Sequence, residues 1–313
     1  MVAFTRHSLQ YSILLAGALC FLLACKEDNP VGGIEPGPSG PPSVDEFSAW
    51  SPDGRTIAYR HLHVTFYDPV TGAYNVNQDS TGIWFVSPDG SNPRMFLHGG
   101  DAPDWSPDSQ WLAFVSGAQI YKIKVNGDSL TQLTFEGRNF FPHWSPDGKK
   151  IAYDSNYLDA RGANVIWIMD STGKNKNDIS SHGVGEWRMP DWSPTGERVV
   201  YSRYVTGVLG EEIYVMSSSG QSSNRLTQNN VTDRNPSWSP SGTQIAFSSN
   251  VNIWVMNPDG SNFQQLTKES GAMPNWSPDG NQIVYSFTHL WIMNANGSNK
   301  RQLTFSPQVP QLP

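Results

Sequence analysis

The chain is expected to fold as an all-β, six-bladed β-propeller with four antiparallel strands per blade, because one phrase is written six times along it. The phrase is Trp-Ser-Pro-Asp-Gly or a close variant, followed two residues later by a short β-branched and aromatic run. Its copies begin at Trp50, Trp105, Trp144, Trp192, Trp238 and Trp276. Their separations of 55, 39, 48, 46 and 38 residues bracket the length of one four-stranded blade. No helical periodicity is legible after residue 25, so no other element competes with strands for this pattern.

The elements of the repeat follow in order. A first strand ends in the Trp and carries a proline two residues earlier, at Pro103, Pro142, Pro190, Pro236 and Pro274. Proline cannot donate to a ladder, which marks this strand as an edge, as the innermost strand of a blade is. Pro52, Pro107, Pro146, Pro194, Pro240 and Pro278 then preset the first central position of a turn, and a glycine supplies positive φ at its exit. Thr195 and Ser241 stand for the Asp in two copies, and Ser109 for the Gly in one. Second strands read Ile57-Ala58-Tyr59 and its equivalents, and third strands Ile83-Trp84-Phe85 and its equivalents, both made of strong β formers. A second turn on Asp89-Gly90, Asn126-Gly127, Thr172-Gly173, Ser219-Gly220, Asp259-Gly260 or Asn296-Gly297 has hairpin chemistry. The fourth strand is Gln-Leu-Thr at 132–134, 265–267 and 302–304 and Arg-Leu-Thr at 225–227, with looser copies at 94–97 and 178–180. Phe47 is expected to begin the first of these strands and Thr304 to end the last, so the ring closes by packing the first blade on the sixth without a shared blade. Each turn tryptophan, burying about 150–250 Å², contributes roughly 4–6 kcal/mol gross to the core.

Residues 1–24 precede this architecture as a targeting segment. Arg6 and His7 form a basic start, Tyr11 to Leu23 is an apolar run, and Leu22-Leu23-Ala24-Cys25 closes it. The run is shorter than the ~20 residues of a comfortable membrane span, so it reads as a secretory signal. Its last four residues resemble the bacterial lipobox, which implies acylation of Cys25 and a membrane partner reached through that lipid. Lys26 stands where Asp would signal inner-membrane retention, so the resemblance favours the outer membrane. Residues 25–43 read as a flexible Gly/Pro-rich tether, 44–305 as the propeller and 306–313 as a tail. Cys20 and Cys25 are the chain's two cysteines, which excludes a disulfide or thiolate site from the propeller. With 28 acidic against 21 basic side chains, a formal charge of −7 and no Lys/Arg block, a nucleic-acid partner is not expected.

The repeat as a whole, Pro-x-Trp-Ser-Pro-Asp-Gly, Ile-Ala-Tyr/Phe, Ile-Trp/Tyr-Val-Met, Asp-Gly-Ser and Gln-Leu-Thr, resembles the propeller repeat of the TolB family and covers residues 47–304. The resemblance implies a periplasmic scaffold for protein or peptide binding. The repeat is also similar to those in the propellers of prolyl-oligopeptidase-type peptidases, tricorn-like proteases and oligogalacturonate lyases. Against that family's pattern, a lipoprotein-type leader is expected here in place of an α/β domain before the propeller.

Function is expected where the copies differ. Both turns of each repeat lie on one face and are uniform. The opposite face carries the second-to-third loops, long at Arg60–Thr81, Asp154–Val165 and Ser202–Glu212, and the crossovers between blades. These crossovers place Asp101, Arg138, Asn139, Glu186, Trp187, Arg188, Asp233 and Arg234 as candidate partner-binding residues, because loops on a rigid scaffold are where binding resides. A second set precedes the tryptophans: Asp104, His143, Asp191, Ser237 and Asn275, with Ala49 completing the ring. Converging on an axis, these groups could hold a hard cation, and water or backbone hydrogen bonds would satisfy them equally. His61 and His63 share a strand face and read as an exposed pair. No Gly-x-Ser-x-Gly elbow or phosphate loop is present, so neither catalysis nor a cofactor is expected. The leading reading is a monomeric, lipid-anchored envelope propeller that binds an envelope protein or peptide; the alternative is a channel-site enzyme acting on an oligosaccharide.

Overall fold

The computed structural model describes residues 43–67, 74–157, 163–180, 185–204 and 210–305, and among these there is no helix. The signal segment, Cys25, the tether up to residue 42 and the tail at 306–313 lie outside the described residues. Six antiparallel sheets follow one another along the chain, each ordered from its first strand to its last. Blade 1 is β1 (Ser43–Trp50), β2 (Ile57–Tyr67), β3 (Tyr74–Val76), β4 (Gly82–Val86) and β5 (Arg94–His98). Blade 2 is β6 (Asp101–Trp105), β7 (Trp111–Ser116), β8 (Gln119–Lys124) and β9 (Thr131–Gln132). Blade 3 is β10 (Asn139–Trp144), β11 (Lys150–Ser155), β12 (Val165–Asp170) and β13 (Asn177–Asp178). Blade 4 is β14 (Glu186–Trp192), β15 (Arg198–Tyr204), β16 (Glu211–Ser217) and β17 (Ser223–Arg225). Blade 5 is β18 (Asp233–Trp238), β19 (Ile245–Ser249), β20 (Asn252–Met256) and β21 (Gln264–Gln265), and blade 6 is β22 (Ala272–Trp276), β23 (Gln282–Phe287), β24 (His289–Asn294) and β25 (Arg301–Gln302).

The six turn tryptophans are buried, each wedged between its own blade and a neighbour. Trp238, for example, packs with Val200, Ile213 and Val215 of blade 4 as well as Ile245, Phe247 and Met256 of its own blade. The Pro-Asp-Gly turns meet in a ring: a Cβ on Gly54, Gly148, Gly196, Gly242 or Gly280 would lie 3.5 to 3.9 Å from the turn proline of the preceding blade. Ser109 takes the same left-handed conformation at φ 58° without being glycine. Five of the second hairpin glycines, all but Gly127, approach a neighbouring blade more closely still. A Cβ on Gly220 would stand 2.2 Å from the Ile179 carbonyl oxygen of blade 3, so only glycine fits there.

Three features differ from the sequence expectation. β1 starts at Ser43, not Phe47, because the extended arm of β2 pairs Ser43–Glu46 with His63–Arg60. The fourth strands are shorter than Gln-Leu-Thr: past the Gln, the Leu133 and Thr134 amides both turn toward the Ile120 carbonyl, while Thr134 Oγ1 accepts the Ile120 amide at 2.8 Å. Thr227, Thr267 and Thr304 end their ladders the same way. Each first strand also carries a bulge, and Phe47, Ala102, Phe141, Met189, Asn235 and Met273 sit at its left-handed position with φ between 44° and 55°. A non-glycine residue held there stores strain, and a bulge turns the side chain off the sheet; here all six line the axis.

The ring closes by packing blade 1 on blade 6, through Trp50, Ile57, Tyr59 and Val86 against Val284, Leu290, Ile292 and Leu303. A polar clasp reinforces the seam. The buried Asp45 carboxylate accepts from His61 Nδ1 at 2.6 Å within blade 1, and from His289 Nδ1 at 3.1 Å and Thr304 Oγ1 at 2.5 Å in blade 6. The Asp45 amide donates to the Thr288 carbonyl at 2.7 Å. Burial alone would raise the Asp45 pKa, but the histidine hydrogen bonds outweigh it and hold the carboxyl below its ordinary value. His61 is therefore a buried member of the clasp and not half of an exposed pair; His63 bonds Ser80 at 2.7 Å.

Candidate functional site: a two-tiered axis and the crossover face

The first strands run from the crossover face to the turn face and set two tiers of side chains on the axis. Nearer the crossovers is the bulge tier, largely apolar. Because blade 2 contributes only Ala102, the rings of Phe47 and Phe141 reach across it and meet at a centroid distance of 5.3 Å. Nearer the turns is the tier that directly precedes the tryptophans. Its polar members do structural work in alternation: Asp104, Asp191 and Asn275 accept the backbone amides of Trp144, Trp238 and Trp50 in the following blade, at 2.7, 2.7 and 3.2 Å. From the same blades as the two aspartates, the indole Nε1 of Trp105 and Trp192 donates to the Ala49 and His143 carbonyls of the intervening blades 1 and 3, each at 3.1 Å. The backbone bonding that competed with a cation in the sequence is thus present, and among the described residues no group of three or more His, Cys, Asp or Glu is arranged to hold a metal.

His143 sits between the two carboxylates, its Nδ1 3.7 Å from Asp104 and 3.6 Å from Asp191. Burial raises Asp104 to about 7 and Asp191 to about 6, and it lowers His143. Two further buried carboxyls, Glu46 beside Arg60 and Asp154 facing the Met189 amide and Arg188, are pushed up to about 7 by the same cause.

These shifts give a pH dependence whose sign is fixed. A carboxyl with a raised native pKa contributes stability that is fully present below the unfolded value near 4 and is lost as pH rises through the native value. Glu46, Asp104, Asp154 and Asp191 all act in this direction over the range up to about 7. His143, with a lowered pKa, opposes them. The urea unfolding midpoint is therefore expected to be higher at pH 5 than at pH 8, and to fall again below about pH 4, where Asp45 and the turn aspartates lose their hydrogen-bonded charge. A midpoint at pH 8 equal to or above that at pH 5 would contradict the burial of these carboxyls.

The crossover face sorts the candidate residues. Trp187 is 1% exposed and lies under the Arg203 guanidinium at 4.4 Å. Asn139 is buried and bonded to Gln119 and the Glu136 carbonyl, and Asp233 is buried and bonded to Asn229. These three lie beneath the surface rather than at the mouth. Asp101, Arg138, Glu186, Arg188 and Arg234 remain half-exposed on the face. Asp101 lies 3.5 Å from Arg60 of blade 1, Arg138 stacks on Phe140 at 5.7 Å, and Arg188 hydrogen-bonds Glu186. Arg188 and Arg234, from neighbouring blades, both lie within electrostatic reach of Glu211, whose pKa burial raises and these two arginines lower. Arg234 also borders a groove of about 130 Å³ over blades 5, 6 and 1, with Val251, Ala272, Phe287 and Val44 in its walls. Sequence reasoning missed this groove; the short second-to-third turns at Asn250-Val251 and Thr288, read as direct connections, leave the room for it.

Comparison with known proteins places this geometry. The profile of the TolB beta propeller domain matches residues 140–308, just over half of the chain. An uncharacterized protein of Agrobacterium fabrum is 33% identical over 170 residues, covering 50% of this chain and 53% of the relative. A protein called a TolB homolog in Chlorobium luteolum is 31% identical over 141 residues, 44% of this chain and 30% of its own length. The chain thus spans about half or less of these relatives' length. Among solved structures, one described as a TolB of Agrobacterium tumefaciens superposes with a TM-score of 0.62 at 26% identity, over 68% of this chain and 84% of that one.

Proposed function

The chain belongs to the TolB β-propeller family, and from that premise we propose that it is a lipid-anchored scaffold of the bacterial envelope that docks a protein or peptide on its crossover face. The observation that carries this reading is the asymmetry of the two faces. One is a ring of near-identical turns locked glycine to proline. The other holds the β2–β3 arm, the groove beside Arg234 and half-exposed apolar side chains such as Phe66, Tyr204 and Val231. TolB-type relatives support the periplasmic side of the envelope as the location. The alternative, catalysis on an oligosaccharide in the channel, has little room: the axial cavity is about 70 Å³, against the roughly 300–1,000 Å³ of typical ligand pockets.

Two experiments test this function. Affinity capture from envelopes, followed by mapping on the purified pair, is expected to show that the double change Arg188→Ala with Arg234→Ala weakens partner binding by about tenfold or more, since truncating a desolvated interfacial charge costs several kcal/mol. Asp147→Asn on the turn face should leave affinity unchanged. Affinity that follows Asp147 instead would invert the assignment of the faces. For the anchor, wild-type protein is expected in the membrane fraction, and Cys25→Ser should release it or leave the precursor uncleaved, because stable anchoring requires more than one chain or signal. Wild-type protein that is soluble, with an unmodified residue 25, would remove the anchor from the proposal.

A further inference from the structure

We propose that the propeller axis holds a site for a primary ammonium group, supplied as a lysine side chain by the partner docked on the crossover face. The second half rests on the function proposed above; the first does not. Each of Asp104 and Asp191 spends one carboxylate oxygen on a tryptophan amide at 2.7 Å. The other oxygen of each lies 3.7 or 3.6 Å from His143 Nδ1, beyond a hydrogen bond. Two more polar atoms of the same axis are buried without a partner, Ser48 Oγ and Asn235 Oδ1, in residues 7% and 9% exposed that line the axial cavity. With both carboxyls ionised, as at pH 8, three of these four groups can only accept. Ser48 Oγ and Asn235 Oδ1 lack a donor outright, the outer carboxylate oxygens receive none from His143, and a primary ammonium is a compact cation with three donors and no acceptor.

The tiers suit a lysine. Its ammonium would sit among Asp104, His143 and Asp191, with the uncharged Ser237, Asn275 and Ala49 completing that ring. The bulge tier lies two residues further along each strand, about 6–7 Å at ~3.3 Å per residue, which is close to the length of the four-carbon stem. Phe47, Phe141, Met189 and Met273 would enclose that stem, the way long cationic side chains bury their methylenes. A cavity of about 70 Å³ has room for several water-sized groups, at ~10–15 Å³ for each, and so for an ammonium head with the methylenes that lead to it. Entry requires Phe47 and Phe141 to part, and Phe47 is the half-exposed member of that pair.

The probes are Nα-acetyl-lysine amide, which offers only a side-chain ammonium, and glycinamide, which offers only an α-ammonium, with tetramethylammonium as a charge control and calcium chloride as a metal control. Calorimetric titration of the full-length protein at pH 8 is expected to show saturable binding of the lysine derivative and none of tetramethylammonium. Asp104→Asn with Asp191→Asn should weaken it at least about tenfold, as charge-assisted hydrogen bonds are lost, while the amide oxygens still cap Trp144 and Trp238 and an unchanged circular dichroism spectrum reports the fold. Lowering the pH to 5 should weaken binding in the wild type only. The Arg188→Ala and Arg234→Ala pair should bind the lysine derivative normally, so failure of the docking surface and failure of the axial site are separable. Binding of glycinamide alone would overturn lysine as the source in favour of a free N-terminus. Saturation by calcium with no response to either amine, or binding unaffected by the double asparagine change, would overturn the site.

Discussion

Asp45→Ala is expected to destabilise the protein by about 3–5 kcal/mol, since each buried group left without its hydrogen-bond partner costs about 1–3 kcal/mol, against a typical total of about 5–15 kcal/mol. Asp45 is 1% exposed, so solvent does not soften the loss. The substitution strands three donors at once: His61 Nδ1, His289 Nδ1 and Thr304 Oγ1. Because the native carboxyl is held below its ordinary pKa, it is ionised and accepts only, so both histidines must present a proton on Nδ1. Asp45→Asn keeps the volume but turns half of the acceptor into a donor facing those protons, and should recover little. Urea unfolding measures the loss. Limited proteolysis is expected to locate it, with new cleavage in blades 1 and 6 before any in blade 3. A midpoint within 1 kcal/mol of wild type, in the range typical of surface changes, would mean that the apolar seam closes the ring unaided.

Trp238→Ala is expected to cost a similar ~3–5 kcal/mol, for truncation of a buried aromatic, by a different route. Trp238 is 5% exposed, packs on both blade 4 and blade 5, and has the Arg198 guanidinium 5.0 Å above its ring. Its amide stays bonded to Asp191 in either variant, so the measured loss isolates side-chain packing between blades. A loss below about 1 kcal/mol would contradict its place in the core.

The repetition makes the architecture legible, because every blade needs the same turn and the same wedge, four of the six end on the same Leu-Thr stop, and six copies average out local ambiguity. What lies in a single copy was harder to read. Asp45 and Glu46 hid four residues of β1, since two acidic residues argue against a buried strand until His61, His289 and Arg60 are known to meet them. Trp187, Asn139 and Asp233 read as crossover residues, but they begin or sit within strands whose neighbours cover them; Trp187 also needs Arg203, sixteen positions away, to close over it. The bulges left a trace in five of six copies, the proline directly after the left-handed residue. In the sequence alone, that signal marks no more than an edge strand.

The seam between blades 1 and 6 has a consequence for how the gene could be rearranged. Ser43 and Thr304 belong to adjoining blades whose packing resembles the other blade junctions, with no strand exchanged across it. A circular permutant that joins the two ends by a short linker and opens the chain at the exposed crossover Phe135-Glu136-Gly137 would preserve every sheet intact. The order in which blades emerge during synthesis would change while the finished ring stayed the same, and the Asp45 clasp would turn from a contact between distant ends into a local one.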